Sequence, residues 1–184
     1  MDNGGIMRLS FALPCSFTLL LIGCGSAPLP LVPPSIMTIE SPAFADGASI
    51  PSMFTCDGEN VSPPLSVSGV PSGAQSLVLI VDDPDSPSGN FVHWVVYNID
   101  PTVTQVLRGT VPQGGTDGQT SFGEERYGGP CPGTGRHRYV FRLFALDRRL
   151  SFERTPTKQV LLSSLQGHVL AETVLVGTYQ RLKE

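Results

Sequence analysis

The chain carries little positive charge and lacks the patterns that usually mark a hydrolase or a metal centre. Its 184 residues include 12 Lys and Arg against 16 Asp and Glu, with three His and one Trp. This deficit of basic residues argues against a nucleic-acid-binding face. No Gly-x-Ser-x-Gly occurs, so the nucleophile elbow of serine hydrolases is missing. No Cys-x-x-Cys or His-rich spacing occurs either, which disfavours a zinc site.

Repeats, heptads and runs of like charge are also missing, whereas proline and glycine are abundant. The 17 Pro and 20 Gly fall singly or in pairs between apolar runs. This distribution is typical of a turn-rich β domain rather than of a disordered chain. The length predicts one domain with a core of sufficient size, which we place at residues 36–184.

The N-terminal residues have a different composition from the rest. Leu9 to Ile22 is mostly apolar and follows Arg8. The stretch is too short to span a bilayer comfortably but has the length of a signal peptide's hydrophobic region. We therefore expect a signal peptide over residues 1–23. An ordinary cleaved signal and a chance apolar start remain the alternatives to the lipoprotein interpretation that follows.

Leu21-Ile22-Gly23-Cys24 resembles the bacterial lipoprotein processing box, in which the Cys thiol is lipidated and becomes the first residue. Residues 24–35 are rich in proline, which favours an extended tether over a helix or a central strand. The sequence thus predicts an exported protein attached to the membrane of the bacterial cell envelope through a lipid on Cys24.

Apolar runs predict a β-dominated α+β domain. The strongest strand candidates are Ser76–Val81, Phe91–Ile99 and Tyr139–Leu146, with weaker ones at Ile36–Ser41 and Leu65–Ser68 and a last one at Ala171–Tyr179. One helix is expected between Thr155 and Gly167 from its start signals and apolar spacing. Val103–Gly123 is predicted to be a long irregular connection, a kind of segment that often borders a pocket.

Two polar segments are expected to form one pocket. The first runs from Asp83-Pro84-Asp85 to His93, and the second from Gly128 to Tyr139. Pro84 favours extended geometry at the residue before it, so the two carboxylates are held just beyond a buried strand. His137 and Tyr139 are two residues apart and share one strand face. Backbone N–H groups between Gly128 and Gly135 have no evident ladder partner and could form an anion-binding nest.

Together these segments resemble the phosphatidylethanolamine-binding protein family, in its bacterial branch often called Raf-kinase-inhibitor-like proteins. Cys56 to Leu65 and Gly167 to Glu172 also resemble that branch, and the likeness covers about Met37 to Arg181. It implies a large antiparallel sheet packed on a smaller one with short flanking helices. It also implies a small-anion pocket, which accepts phospholipid head groups or phosphorylated groups, formed by Asp83, Asp85, His93, Gly129, Pro130, His137 and Tyr139.

The chain departs from the family pattern in three places that bear on ligand identity. Gly133 stands where the bacterial loop usually has a second proline, and Val67 where a Trp is usual. Glu124-Glu125-Arg126 precede Tyr127, where small or polar residues are more common.

The cysteines divide by location. Cys15 lies in the predicted signal and Cys24 is the predicted lipid site, which leaves Cys56 and Cys131. In an exported protein two such thiols could form a disulfide. We predict no metal and no cofactor, because the proline-fixed carboxylates and the hydrogen-bond donors around them favour an anion.

The function predicted from these residues is non-enzymatic binding of a small anion, such as a phosphate-like group or a phospholipid head group. A phenol, imidazoles and backbone N–H groups supply its donors. Because His titrates near pH 6.5, affinity is expected to fall as the pH rises through neutrality. One alternative is a weak hydrolase that uses His93 or His137 as base. Another is an inhibitor or interaction module for a kinase or protease, which the family's names suggest; the protein partner would then be unknown.

Overall fold

The computed structural model describes Met1 and residues 36–181. Its elements in chain order are β1 (Thr38–Glu40), a 3₁₀ helix (Ser52–Phe54), β2 (Leu65–Ser68), β3 (Ser76–Asp83), β4 (Phe91–Ile99), β5 (Gln105–Val106), β6 (Thr116–Asp117), β7 (His137–Leu146), α1 (Lys158–Leu165) and β8 (Val169–Tyr179). The predicted signal peptide, the lipid site at Cys24 and the tether lie outside the described residues.

A five-stranded sheet in the order β6-β4-β3-β7-β8 forms the centre of the domain. All of its strand pairs are antiparallel. Every residue of β3 is buried, because apolar layers cover this strand on both faces. This explains why β3 reads as a continuous apolar run rather than as an alternating one.

A three-stranded antiparallel sheet, in the order β1-β2-β5, packs on one face of the larger sheet. The core between them combines Ile39 and Val67 from the small sheet with Leu79, Trp94 and Phe141 from the large one. The predicted arrangement of a large antiparallel sheet on a smaller one is confirmed.

Helix α1 covers the other face of the large sheet. Leu161 and Leu165 are its buried residues, and they join a second apolar cluster with Val78 and Ile80 of β3. The side chain of Thr157 accepts a hydrogen bond from the backbone N–H of Val160 and so caps the helix. Within residues 36–181, α1 is the single α-helix, so the short flanking helices that were expected reduce to α1 and the 3₁₀ turn.

The predicted strands differ from the observed ones mainly at their ends. β7 begins two residues before the predicted Tyr139, because His137 and Arg138 already pair with β8. The connection predicted to be irregular contains β5 and β6, which are two residues each and add to the edges of the two sheets. No helix in the described part of the chain is long and apolar enough to cross a membrane.

Candidate functional site

A small cavity lies where β3 ends and where β4 and β7 begin. Asp83 is the last residue of β3, His93 the third of β4, and His137 and Tyr139 the first and third of β7. The structure thus brings together these four predicted site residues. We call this space the Tyr139 cavity. It has a volume of about 170 Å³ and is lined by Asp83, Ser86, Pro87, Ser88, Phe91, His93, Phe122, Cys131, Pro132, Gly133, His137 and Tyr139.

Asp83 positions His137. One carboxylate oxygen of Asp83 accepts the backbone N–H of Asp85 at 2.8 Å, which fixes the carboxylate in the turn after β3. The other oxygen lies 2.7 Å from Nδ1 of His137, and Nε2 of that ring lies 3.1 Å from the carbonyl oxygen of Thr134. Since both ring nitrogens face oxygen acceptors, only the doubly protonated ring donates to both. The arrangement therefore holds a buried imidazole between a carboxylate and a carbonyl oxygen.

His93 has a different role from His137. Its Nδ1 lies 2.7 Å from the carbonyl oxygen of Gly128, to which it donates. Burial lowers the pKa of His93, although this hydrogen bond and the nearby Asp83 carboxylate oppose the shift. At neutral pH the ring is consequently neutral, with Nε2 as an acceptor. From the sequence the two imidazoles are predicted to be equivalent donors, but in the structure their partners differ: a backbone carbonyl for His93 and the Asp83 carboxylate for His137.

The Tyr139 hydroxyl lies near Asp83 and Cys131 but makes no hydrogen bond of ordinary length and angle. The residue is fully buried, and among the described residues its hydroxyl is the one buried side-chain polar atom without a hydrogen-bond partner. Burial raises the pKa of Tyr139, and the charge of the nearby Asp83 carboxylate and a hydrogen-bonding interaction with it add to that shift, whereas the backbone N–H of Cys131 opposes it in part. The phenol therefore stays protonated and can donate. A buried hydroxyl left unpaired is costly, which points to a partner supplied from the cavity.

An aromatic wall borders the cavity beside His93. The rings of Phe91 and Phe122 meet edge to face at 4.9 Å, and each also lies against the His93 ring, at 5.2 and 5.5 Å. Sequence reasoning missed both phenylalanines. Phe91 could have been found, because it is two residues before His93 and so shares its strand face. Phe122 lies in an irregular segment and gave no such signal.

Asp85 was predicted in the pocket but does not line the cavity. Its carboxylate accepts from the backbone N–H of Arg138 at 2.9 Å and from Nε and Nη2 of the same residue at 2.8 and 2.6 Å. These bonds lower the pKa of Asp85 to about 2. Because Arg138 points to the exposed face of β7, Asp85 ties the turn to the outside of the sheet and leaves the cavity to Asp83.

Gly129 and Pro130 also lie beside the cavity rather than in its lining. The N–H of Gly129 donates to the side chain of Asn60 at 2.7 Å, and the carbonyl of Pro130 accepts from the N–H of Cys56 at 3.1 Å. A Cβ at position 129 would approach the carbonyl oxygen of Phe54 to 2.6 Å, so only glycine fits there. The N–H of Gly128 is likewise used by the His93 carbonyl, at 2.9 Å. The N–H groups of Gly128 and Gly129, which were expected to bind an anion, therefore donate to acceptors within the domain and stabilise the loop.

A disulfide joins Cys56 to Cys131, with their Cα atoms 5.4 Å apart. Cys131 is part of the cavity lining, whereas Cys56 follows the 3₁₀ helix. The bond thus fastens the rim of the cavity to the segment that also provides Asn60. Within residues 36–181 no three His, Cys, Asp or Glu side chains are grouped so that they could hold a metal ion.

Comparisons with known proteins identify the family of this chain. The sequence profile of the phosphatidylethanolamine-binding protein family matches residues 40–180. A UPF0098 protein of Methanothermobacter thermautotrophicus is 48% identical over 150 residues, which are 79% of this chain and 99% of the relative. A UPF0098 protein of Chlamydia pneumoniae is 43% identical over 150 residues, with the same coverage of 79% and 99%. The chain therefore belongs to the phosphatidylethanolamine-binding protein family.

Solved structures of the family have the same fold. A crystal structure described as a phosphatidylethanolamine-binding protein homologue from Chlamydia trachomatis superposes with a TM-score of 0.77 at 42% identity, covering 80% of this chain and 99% of the other. The crystal structure of YbcL from E. coli, described as a member of the mammalian family, superposes with a TM-score of 0.73 at 28% identity, covering 79% and 99%.

Proposed function

We propose that this protein binds a small phosphate-like anion, such as a phospholipid head group, in the Tyr139 cavity and does no chemistry on it. The observation that carries the proposal is the buried hydroxyl of Tyr139, which has no hydrogen-bond partner among the described residues. An anionic oxygen in the cavity would accept this hydrogen bond. Hydrogen bonds to charged acceptors are also the stronger kind.

The lining and size of the cavity support the same ligand class. The imidazole of His137, held between two oxygen acceptors, lines the cavity together with Tyr139. With about 170 Å³ the cavity suits a head group rather than a whole lipid. Phe91 and Phe122 offer an apolar wall to whatever group the phosphate carries. The description of the family as phosphatidylethanolamine-binding fits these features.

A binding role is favoured over hydrolysis by the state of the nucleophile candidates. Cys131 is bonded to Cys56 and so has no thiolate to offer. The hydroxyls of Ser86 and Ser88, which line the cavity, are hydrogen-bonded to each other at 2.9 Å rather than to a histidine. A serine nucleophile would require a base within hydrogen-bond reach.

Binding can be tested by replacing one tyrosine in the cavity and one outside it, Tyr139 and Tyr127, with phenylalanine. Calorimetric titration of the full chain with phosphate and with phosphoethanolamine should show binding to the wild type. Tyr139→Phe should weaken it roughly 10- to 150-fold, the equivalent of one charge-assisted hydrogen bond. Tyr127→Phe is the control, since the Tyr127 hydroxyl donates to the carbonyl of Phe54 at 2.8 Å and lies outside the cavity lining. Anion affinity that is equal in both variants, or no binding by the wild type, would refute the proposal.

We further propose that the protein is attached to the cell envelope by a lipid on Cys24. The support is the processing-box pattern that ends at Cys24 and the proline-rich residues after it. Cys24→Ser should abolish incorporation of labelled fatty acid and move the protein out of the membrane fraction. A variant that partitions like the wild type would contradict lipid anchoring without touching the anion proposal.

A further inference from the structure

A second and larger cavity lies on the opposite side of the same end of the sheet. Its volume is about 590 Å³, within the usual range for small-molecule sites. Val92 lines it, whereas Phe91 and His93, the neighbours of Val92 in β4, line the Tyr139 cavity. In the same way, Ser121 lines the second cavity and its neighbour Phe122 lines the Tyr139 cavity. The two spaces are thus separate and share one wall.

Carboxamides and hydroxyls line this second cavity in equal number, but the hydroxyls of Thr120, Ser121, Thr157 and Ser163 are all hydrogen-bonded to the backbone. The four carboxamides are those of Asn90, Gln119, Gln159 and Gln166, and we call the space the carboxamide groove. None of the four makes a side-chain hydrogen bond to another residue within 36–181. Each carboxamide offers two N–H donors and two acceptor lone pairs. The groove therefore presents paired donors and acceptors at several points along its length.

Among the described residues, none brings a free charge to the groove. Lys158 is the one ionisable residue in its lining, and its ammonium group is paired with the buried carboxylate of Asp82. An anion or a cation would thus find no unpaired counter-charge. Val92 and Leu162 add aliphatic surface between the polar groups. Such a surface suits a neutral ligand that has both hydroxyl groups and apolar C–H faces.

The backbone of the groove does not offer a strand edge to a peptide. The N–H groups of Gly118 to Ser121 all have acceptors within the domain, namely the carbonyls of Val95, Pro156, Glu124 and Val92, at 2.8 to 2.9 Å. Recognition of an extended peptide by strand addition needs unpaired N–H and C=O groups. Along this segment of the groove, recognition must therefore come from side chains.

From these features we infer that the carboxamide groove is a binding site for a neutral oligosaccharide. Each carboxamide can donate to one sugar hydroxyl and accept from another, so that four of them can follow a chain of rings. Val92 and Leu162 would lie against the C–H faces of the rings. The site is independent of the Tyr139 cavity, and either could bind its ligand without the other.

Side-chain amide signals in ¹⁵N nuclear magnetic resonance test the inference directly. The probes are maltotriose, cellotriose and triacetylchitotriose, each titrated to millimolar concentration into the labelled full chain. At least one should shift the NH₂ signals of the four groove carboxamides while leaving the imidazole signals of His93 and His137 in place. Phosphate should do the reverse if the Tyr139 cavity binds anions.

Substitutions within and outside the groove supply the control. The double variant Gln119→Leu, Gln166→Leu should bind the responsive trisaccharide roughly tenfold more weakly, from the loss of two neutral hydrogen-bonding groups. Gln113→Leu changes an exposed carboxamide outside the groove and should bind as the wild type does. The inference fails if no trisaccharide shifts the four signals, if triglycine shifts them instead, or if both variants lose affinity equally.

Discussion

Asp83 and His137 are 54 residues apart in the chain, yet their side chains share a buried hydrogen bond of 2.7 Å at one end of the large sheet. The exposed fractions of the two side chains are 5% and 10%. The next carboxylate along the chain, Asp85, instead pairs with an exposed arginine on the other face of β7. Of the two carboxylates in this short turn, one is thus buried and the other pairs with an exposed side chain, so the same substitution at each can be compared.

Asp83→Asn should destabilise the protein by about 1.5–3 kcal/mol, because it removes the charged acceptor of a buried hydrogen bond while keeping the side-chain oxygen that holds the turn. Asp85→Asn should also destabilise the protein, because its carboxylate accepts three hydrogen bonds from Arg138 and its pKa is lowered to about 2. Since the Arg138 side chain is exposed, the loss in Asp85→Asn should shrink at high salt, whereas that in Asp83→Asn should not. Denaturant unfolding of both variants at low and high salt measures the difference, and equal salt responses would contradict the buried setting of Asp83.

The stability of the fold should fall in mild acid because of His93. Burial lowers the pKa of His93, so the unfolded chain takes up a proton at a higher pH than the folded protein does. The contribution of neutral His93 to the free energy of unfolding is therefore complete above the ordinary histidine pKa of about 6.5, and it is lost as the pH falls through the folded-state pKa. The melting temperature of the wild type should decline more steeply below about pH 6.5 than that of His93→Gln. Parallel pH profiles would show that another group causes the decline.

The same observation changes the pH dependence that the sequence predicts for anion binding. His93 remains neutral at pH values where an ordinary histidine gains its charge, so it adds no positive charge near pH 6.5. Any loss of affinity as the pH rises through neutrality must then come from a group other than His93. In His93→Gln, anion affinity measured by calorimetry should still fall as the pH rises through neutrality. If the affinity of this variant no longer depends on pH, His93 is the residue whose charge controls binding.

The sequence predicts the strands better than it predicts the contacts between them. The apolar runs of β3 and β4 predict these strands well, because each strand is buried on its two faces. The two-residue spacing of His137 and Tyr139 correctly predicts that they share one face of a strand. Nothing local distinguishes Asp83 from Asp85, because the difference depends on which face of β7 each one meets. The unpaired state of the Tyr139 hydroxyl depends likewise on surroundings that come from several segments.

The disulfide should stabilise the fold substantially. It closes a loop between residues 75 positions apart, which corresponds to ~4 kcal/mol on the chain-entropy account. The double variant Cys56→Ala, Cys131→Ala should therefore unfold at a lower denaturant concentration, and peptide mapping of the unreduced wild type should recover the cross-link. Because Cys131 lines the Tyr139 cavity, anion affinity should fall as well. If the variant matches the wild type in stability and binding, the bond does not fasten the rim.

Asp82 and Lys158 form an ion pair that is buried beneath α1, so we expect a large interaction free energy between the two side chains. The exposed fractions of the side chains are 2% and 14%, and the pair links the end of β3 to the first turn of the helix. Removal of either partner leaves a buried charge without its counter-charge, which typically costs 3–5 kcal/mol. Asp82→Asn and Lys158→Met should each lower the free energy of unfolding by roughly that amount. The double variant should be no less stable than either single one, because it leaves no unpaired charge. Additive losses in a double-mutant cycle would mean that solvent, rather than the partner, stabilises each group.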